Sequence, residues 1–139
     1  MDQGIQGRMR GFRISRGWSN AVIELERVYG GSAKRGTRFL VERLWPRGVR
    51  KEALELHAWT KDVAPSDALR RWFRHDVTKW QEFQRRYRAE LDRHPEAWAP
   101  ILDAARAGNV VLLYSSRDTE HNNAVALRDF LQEKLARPR

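Results

Sequence analysis

Two short polar segments of the sequence carry residue types that bind anions and move protons. Residues 42–48 read ERLWPRG, and residues 115–122 read SSRDTEHN. Arginine binds phosphate and carboxylate groups in a planar, bidentate way, and a histidine beside an acid can act as a general acid or base. Each segment follows an apolar run that is typical of a strand. The two segments together are the candidate functional site.

Within these segments we predict that Arg43, Arg47 and Arg117 hold an anion. His121 is the predicted general acid or base, oriented by Asp118 or Asn122. The other candidate ligand contacts are Trp45, Ser115 and Asn122.

Each of these residues also has a purely structural interpretation. Asp118 can cap the last helix, with His121 reaching back to it. Arg43 can pair with an acid as part of the scaffold, and Trp45 can pack in the interior. The functional interpretation rests on joint position, because both segments are expected at the carboxyl ends of strands, where open α/β sheets bind ligands.

Secondary candidates are Glu42, His75 and Asp76. His75 and Asp76 form a second histidine–acid pair, although Asp76 is also a good helix cap. No His and Asp pair shows an established metal-ligand spacing, so no metal is predicted. The sequence contains no GxGxxG, P-loop, GxSxG or HExxH motif, and it indicates no particular cofactor.

The elements that must position these residues are visible as hydrophobic patterns. Residues 21–28 alternate as a half-buried strand does, and residues 38–44 form a second strand that ends at Trp45. Val110–Tyr114 (VVLLY) has no polar break, which is typical of a strand covered on both faces of a parallel sheet. We predict that this strand is central, with the two earlier strands beside it. The short loop over 29–36 favours an antiparallel hairpin.

Helices are predicted between the second strand and Val110, and again after the last strand. Ser66 is the expected cap of one helix, Asp76 of the next, and Pro95 suits the first turn of a third. The Asp76-capped helix carries an apolar stripe that we expect in the core. A final helix is predicted from about residue 118 to 135. The fold class is α/β, with a small sheet of about three or four strands flanked by helices.

Composition restricts the class of protein. The chain has 139 residues, a net charge of +9 and no cysteine, which excludes disulfides, thiolate metal sites and cysteine nucleophiles. It has no apolar run of membrane-spanning length and no signal-peptide pattern, so we expect a cytoplasmic protein. We interpret residues 1–20 as a basic arm and residues 21–139 as one domain. The basic helix faces also carry Glu82 and Glu90, which favours a self-paired surface over a nucleic-acid stripe.

At VERLWPRG, LRRWFRHD, KWQEFQRRY and LLYSSRDTEHNNAVAL, the sequence resembles the YeaO-like bacterial proteins, a family of the domain-of-unknown-function class (DUF 488). The resemblance covers about 21–135 and implies a small, mostly parallel, Rossmann-like sheet. The family pattern has Asp at Glu42, Pro at Val77 and Ala-Ala at 115–116. A distant branch carries a Cys-His pair that this cysteine-free chain lacks. The resemblance implies no reaction.

We expect a basic Arg/His pocket that binds, or acts on, a phosphate-bearing small molecule or nucleotide. Two alternatives stay open: a nucleic-acid-binding module that uses the same arginines on the phosphate backbone, and a non-catalytic structural or interaction domain. A concave pocket that holds Arg43, Arg117 and His121 favours an enzyme, whereas a flat basic face favours nucleic acid. The sequence does not indicate a membrane partner or an oligomeric state.

Overall fold

The structure, a computed structural model, describes residues 22–30 and 33–137. Its centre is a sheet of parallel strands in the order β1-β4-β2-β3. The strands are β1 (Ile23–Arg27), β2 (Thr37–Leu40), β3 (Ala58–Trp59) and β4 (Val110–Tyr114). The arm interpreted at residues 1–20 lies outside the described residues. The predicted α/β class with a small parallel sheet is confirmed.

Strand β4 is the central strand, as its unbroken apolar run predicts. All five of its residues are buried. It pairs with β1 from Ile23–Val110 to Arg27–Tyr114, and with β2 from Thr37–Val110 to Leu40–Leu113. The first two strands of the chain, β1 and β2, therefore lie on either side of it.

One face of the sheet packs against helices. The helices are α1 (Lys51–Leu54), α2 (Asp67–Phe73), α3 (Trp80–Arg93), α4 (Pro95–Ala107) and α5 (Asn123–Ala136). Helices α4 and α5 contact β4 directly, and α3 packs against both of them. The stripe of α3 contributes Phe83, Tyr87 and Leu91 to this core, which confirms its predicted structural role.

The opposite face is covered by less regular structure. Leu40, Val111 and Leu113 form a smaller buried cluster there with Leu54 of α1. Residues of the segment that links β2 to β3 complete the cover, including Trp45 and Leu56. The sheet thus has one helical face and one face covered mainly by a loop and a short helix.

Several helix boundaries follow the predicted caps. The Ser66 hydroxyl accepts a hydrogen bond from the Leu69 amide at 3.1 Å and caps α2. The Asp76 carboxylate accepts from the Thr78 amide at 3.0 Å and caps a 3-10 turn over Val77–Lys79 that leads into α3. Pro95 is the first residue of α4, where its missing N–H is harmless.

Other expectations were wrong. The second strand ends at Leu40 instead of 44, and neither β3 nor α1 was predicted. The pairing of the first two strands, which the sequence left open, is resolved as the resemblance implies: β1 and β2 are parallel and separated by β4, and no hairpin forms over 29–36.

The last helix also begins later than expected. It starts at Asn123 instead of about 118, because the Asn122 side chain accepts a hydrogen bond from the Val125 amide at 3.0 Å. Asp118 is therefore in the preceding loop and is not the cap of α5. In the part of the chain that the structure describes, no helix is long and apolar enough to cross a membrane.

Candidate functional site

Three arginines lie on chain segments that meet where β1 and β4 end. The Arg27 Nε donates to the Ser116 carbonyl at 2.8 Å, which brings Arg27 beside Arg117 in the chain that leaves β4. The Arg27 guanidinium lies 5.1 Å from the centre of the Tyr29 ring, and the Tyr29 hydroxyl donates to the Arg47 carbonyl at 2.8 Å. We call Arg27, Arg47 and Arg117 the basic edge.

Within the part of the chain that the structure describes, the charges of the basic edge lack an acidic partner. Arg47 and Arg117 are exposed, and Arg27 is half-buried. Among the described residues, no carboxylate forms an ion pair with any of the three. Positive charge at the carboxyl ends of parallel strands is a suitable environment for an anion.

Glu42 lies at the same end of the sheet, on the chain that leaves β2. Its Oε1 accepts a hydrogen bond from the Ser115 hydroxyl at 2.6 Å, which joins the two predicted segments. Burial raises the pKa of the Glu42 carboxyl, and the hydrogen bonds from Ser115 offset only part of that effect. The Glu42 backbone carbonyl accepts from the Trp59 indole N–H at 2.7 Å.

His121 and Asp118 form a histidine–carboxylate pair. The His121 Nδ1 lies 3.0 Å from Asp118 Oδ2 and 3.2 Å from Oδ1. The carboxylate also accepts from the backbone amides of Glu120 and His121, and these bonds hold its pKa below the ordinary value. The imidazole packs edge-on against Trp80, with ring centres 5.3 Å apart. The Asp118 side chain thus turns back toward the backbone, while the imidazole sits beside the start of α3.

Arg43 lies in a different environment from the basic edge. Its Nη2 donates to the carbonyls of Ala64 at 3.1 Å and Pro65 at 3.4 Å, and its Nε lies 4.0 Å from an Asp67 carboxylate oxygen. These contacts tie it to the segment that enters α2. The Nε atom is buried and has no hydrogen-bond partner among the described residues.

Arg43 lines a cavity of about 460 Å³ between the segment before α2 and the junction of α3 with α4. The other charged or titratable residues that line it are Asp62, Tyr87, Glu90, Arg93, His94 and Glu96. Arg47, Arg117 and His121 are not among the described residues that line this cavity. The structure therefore does not bring Arg43 into one cavity with these three.

Two further candidates make specific internal contacts. The Trp45 indole N–H donates to the Val49 carbonyl at 2.7 Å. Asn122 is buried, and its side chain accepts from the Val125 amide and donates to the Asp118 carbonyl at 2.8 Å. Both side chains help to fix the loops that carry the basic edge.

The second histidine–acid pair lies at the turn between α2 and α3. The Asp76 carboxylate accepts hydrogen bonds from both the amide and the hydroxyl of Thr78, the latter at 2.6 Å. His75 is exposed, with its ring centre 6.4 Å from that of Phe73. Asp76 thus acts as a helix cap, which is the structural role that the sequence predicted as the alternative to a functional one.

Sequence reasoning missed Arg27 and Asn123. Asn123 donates to the Val41 carbonyl at 2.7 Å and fastens the start of α5 to the end of β2. Arg27 is the last residue of β1, so it would have been recognised once β1 and β4 were known to be parallel neighbours. The described residues contain no group of three or more His, Asp or Glu side chains that could hold a metal ion.

Comparison with known proteins gives consistent matches. Residues 22–139 match the DUF488-N3i family, which is described as the inactive DUF488-N3 subclade. The chain is 39% identical over 111 residues to the uncharacterized protein YeaO of Escherichia coli, covering 79% of this chain and 96% of that protein. It is 48% identical over 97 residues to the uncharacterized protein Rv3073c of Mycobacterium tuberculosis, covering 69% and 80% respectively. No solved structure matches the chain. The resemblance to YeaO-like proteins is confirmed.

Proposed function

Because the chain belongs to the DUF488-N3i family, whose description names an inactive subclade, we propose that it functions by binding a ligand. The proposed ligand is a phosphate-bearing small molecule or nucleotide. It binds at the basic edge, at the carboxyl ends of the strands, where Arg27, Arg47 and Arg117 supply guanidinium groups. Ser115, which follows β4 and donates a hydrogen bond to Glu42, lies at the same end of the sheet. Binding without turnover agrees with the family description.

The observation that carries this proposal is the contrast between paired and unpaired arginines. Arg38 pairs with Glu26, Arg85 and Arg86 pair with Glu82, and Arg88 pairs with Glu133. Within the described residues, the basic edge alone combines several arginines, the end of the sheet and no carboxylate partner. An incoming phosphate would supply the missing negative charge in the bidentate geometry that arginine favours.

The same contrast disfavours the nucleic-acid alternative. A duplex or single strand needs a long row of available positive charge. Three of the four arginines on α3, Arg85, Arg86 and Arg88, are instead engaged with acids of the same or the neighbouring helix. A compact anion fits the limited extent of the basic edge better than a polymer does.

A second candidate function rests on the His121–Asp118 pair. The hydrogen bond from Nδ1 to a carboxylate is the arrangement that orients an imidazole for acid–base chemistry. If the protein catalyses a reaction, His121 is the residue that transfers the proton, and Asp118 fixes its tautomer. In that case His121→Ala abolishes turnover and leaves phosphate binding unchanged. In the binding proposal, no turnover is found for the wild-type protein.

A thermal-shift screen tests the proposed function. The panel is inorganic phosphate, ribose 5-phosphate, adenosine and AMP, each at low and high salt. A compound at a hundred times its dissociation constant adds about 2.7 kcal/mol to the free energy of unfolding. We expect stabilisation by the phosphorylated compounds and little by adenosine, with a smaller effect at high salt. Equal stabilisation by adenosine and AMP contradicts a phosphate site. No stabilisation by any compound favours the structural or interaction domain.

A further inference from the structure

A second cavity lies beside the edge strand β3. Its volume is about 520 Å³, which is within the range of small-molecule sites. The cavity is lined by Trp45, Lys51, Leu56, His57, Ala58 and Trp59. Arg27, Arg47 and Arg117 do not line it, so it lies outside the basic edge. Its function is therefore a separate question from the proposed phosphate site.

Two indole rings form a corner in this cavity, which we call the aromatic corner. The ring centres of Trp45 and Trp59 are 5.3 Å apart, and the ring planes meet at 71°. Each indole N–H is held by a backbone carbonyl: Trp45 by Val49 and Trp59 by Glu42, both at 2.7 Å. Because both rings are held in place, a flat ligand would not have to order them on binding.

Positive charge borders the aromatic corner. The Lys61 ammonium lies 4.6 Å from the centre of the Trp59 ring, and Lys51 is among the residues that line the cavity. Both lysines are exposed. Neither forms an ion pair with a described carboxylate. The cavity thus combines an apolar, aromatic wall with one lysine in its lining, Lys51, and a second, Lys61, beside the Trp59 ring.

We propose that this cavity binds a small planar aromatic molecule that carries a negative charge. The ring of the ligand packs against the Trp59 indole and the apolar side chain of Leu56, with Trp45 contacting its edge. Its anionic group binds Lys51 and Lys61. An apolar wall alone would accept many hydrophobic molecules, whereas the two lysines select a ligand with an acidic group. The anionic group is a carboxylate or a phosphate.

The test uses two pairs of probes that differ in charge. Indole-3-acetate is compared with the uncharged indole-3-acetamide, and AMP is compared with adenosine. Binding is followed by the ¹H–¹⁵N signals of the tryptophan indole groups, assigned with single Trp→Phe variants. We expect indole-3-acetate or AMP to shift the Trp59 and Trp45 signals, and the uncharged partner of that pair to bind at least about fivefold more weakly. The pair that responds identifies the ligand as an aromatic carboxylate or a nucleotide.

Variants separate this site from the basic edge. Lys51→Gln with Lys61→Gln should weaken anion binding about fivefold and leave binding of the uncharged probe unchanged. Lys79→Gln is the matched control, because Lys79 lies 5.0 Å from the Trp72 ring in a comparable contact elsewhere. Arg47→Gln with Arg117→Gln should not alter binding of indole-3-acetate, whatever happens at the proposed phosphate site.

The role of the Trp59 ring is tested with Trp59→Leu, which keeps apolar bulk and loses the flat surface. We expect this variant to remain folded, because Trp59 is 37% exposed, and to lose probe binding. If Trp59→Leu does not fold, the double lysine variant still tests the proposal. The proposal is overturned if neither anionic probe shifts the Trp59 signal at millimolar concentration. It is also overturned if charged and uncharged probes bind equally, or if Lys79→Gln weakens binding as much as the double variant.

Discussion

Glu26 and Arg38 form a buried, two-pronged ion pair that joins β1 to β2 across the central strand. Arg38 Nη1 and Nη2 each lie 2.9 Å from a different carboxylate oxygen of Glu26. Both side chains are only 7% exposed. The remaining hydrogen-bonding groups are used as well: Lys34 donates its amide to Glu26, and the Leu54 carbonyl accepts from Arg38 Nε. The pair therefore fixes two strands that β4 separates.

The first prediction concerns this pair. Arg38→Met leaves the Glu26 carboxylate buried without its charge partner, so we expect the free energy of unfolding to fall by about 3–5 kcal/mol. Urea denaturation at pH 7 measures the change. The control is Arg85→Met, which removes an exposed partner of Glu82 and should leave the midpoint unchanged. A loss below about 1 kcal/mol for Arg38→Met would mean that the pair does not hold the strands.

The second prediction concerns the half-buried carboxyl of Glu42. Because burial raises its pKa in the folded state, Glu42 favours folding most when it is protonated, and this contribution is lost as pH rises through the folded-state pKa. Glu42→Gln removes the charge, and its side-chain oxygen can still accept from Ser115. We therefore expect the variant to be more stable than wild type at pH 7 and equal to it at pH 3. Urea denaturation across that range measures the difference.

Glu26 provides the control of opposite sign. Burial raises the pKa of Glu26, but the hydrogen bonds from Arg38 and the Lys34 amide outweigh that effect, and the net pKa is below the ordinary value. Its stabilising contribution is present above the unfolded-state pKa and is lost as pH falls through the folded-state pKa. Glu26→Gln should be less stable than wild type at pH 7, and the gap should close in acid. A Glu42→Gln variant that behaves in the same way would show that Glu42 acts as a stabilising anion.

The elements that depend on local pattern were predictable. Val110–Tyr114 has five apolar residues in a row, a pattern that predicts a strand covered on both faces. Ser66, Asp76 and Pro95 mark helix starts by their own chemistry. Strand β3 consists only of Ala58–Trp59 and is defined by its pairing with β2. The local sequence pattern therefore does not predict it.

The candidate site was predictable only in part, because its geometry depends on non-local contacts. The sequence predicted that the segments of Glu42 and Ser115 lie at one end of the sheet, and the hydrogen bond between the two side chains agrees with that placement. It did not indicate that Arg43 would bind the carbonyls of Ala64 and Pro65. It also did not show Arg27 as a neighbour of Ser116, since they are 89 positions apart.

The third prediction tests where α5 begins. Asn122→Ala removes both the acceptor for the Val125 amide and the donor to Asp118, and should cost about 1–2 kcal/mol of unfolding free energy. Asn122→Asp keeps the acceptor and should recover part of the loss. Thermal unfolding of the three proteins measures the order. If Asn122→Ala is as stable as wild type, the helix is capped by another residue.

The fourth prediction concerns the entrance to β2. Gly36 has φ +145°, and a Cβ there would lie 2.7 Å from the Asn109 carbonyl oxygen, which also accepts from the Thr37 amide. Gly36→Ala therefore strains the backbone and pushes β2 away from β4, at a cost of about 1–3 kcal/mol. Gly108→Ala is the control, because its φ is 174° and a Cβ there meets no atom within 4 Å. Denaturation midpoints that fall equally for both variants would contradict this explanation.

The central claim is that the basic edge binds a phosphate group. The most direct measurement is an NMR titration with ribose 5-phosphate of wild type and of the Arg47→Gln, Arg117→Gln double variant. We predict that the backbone amides of Ser116 and Arg117 and the Nε–H of Arg27 shift on titration. The double variant should bind at least about tenfold more weakly. Shifts that lie elsewhere, or equal affinity in the double variant, would contradict the proposal.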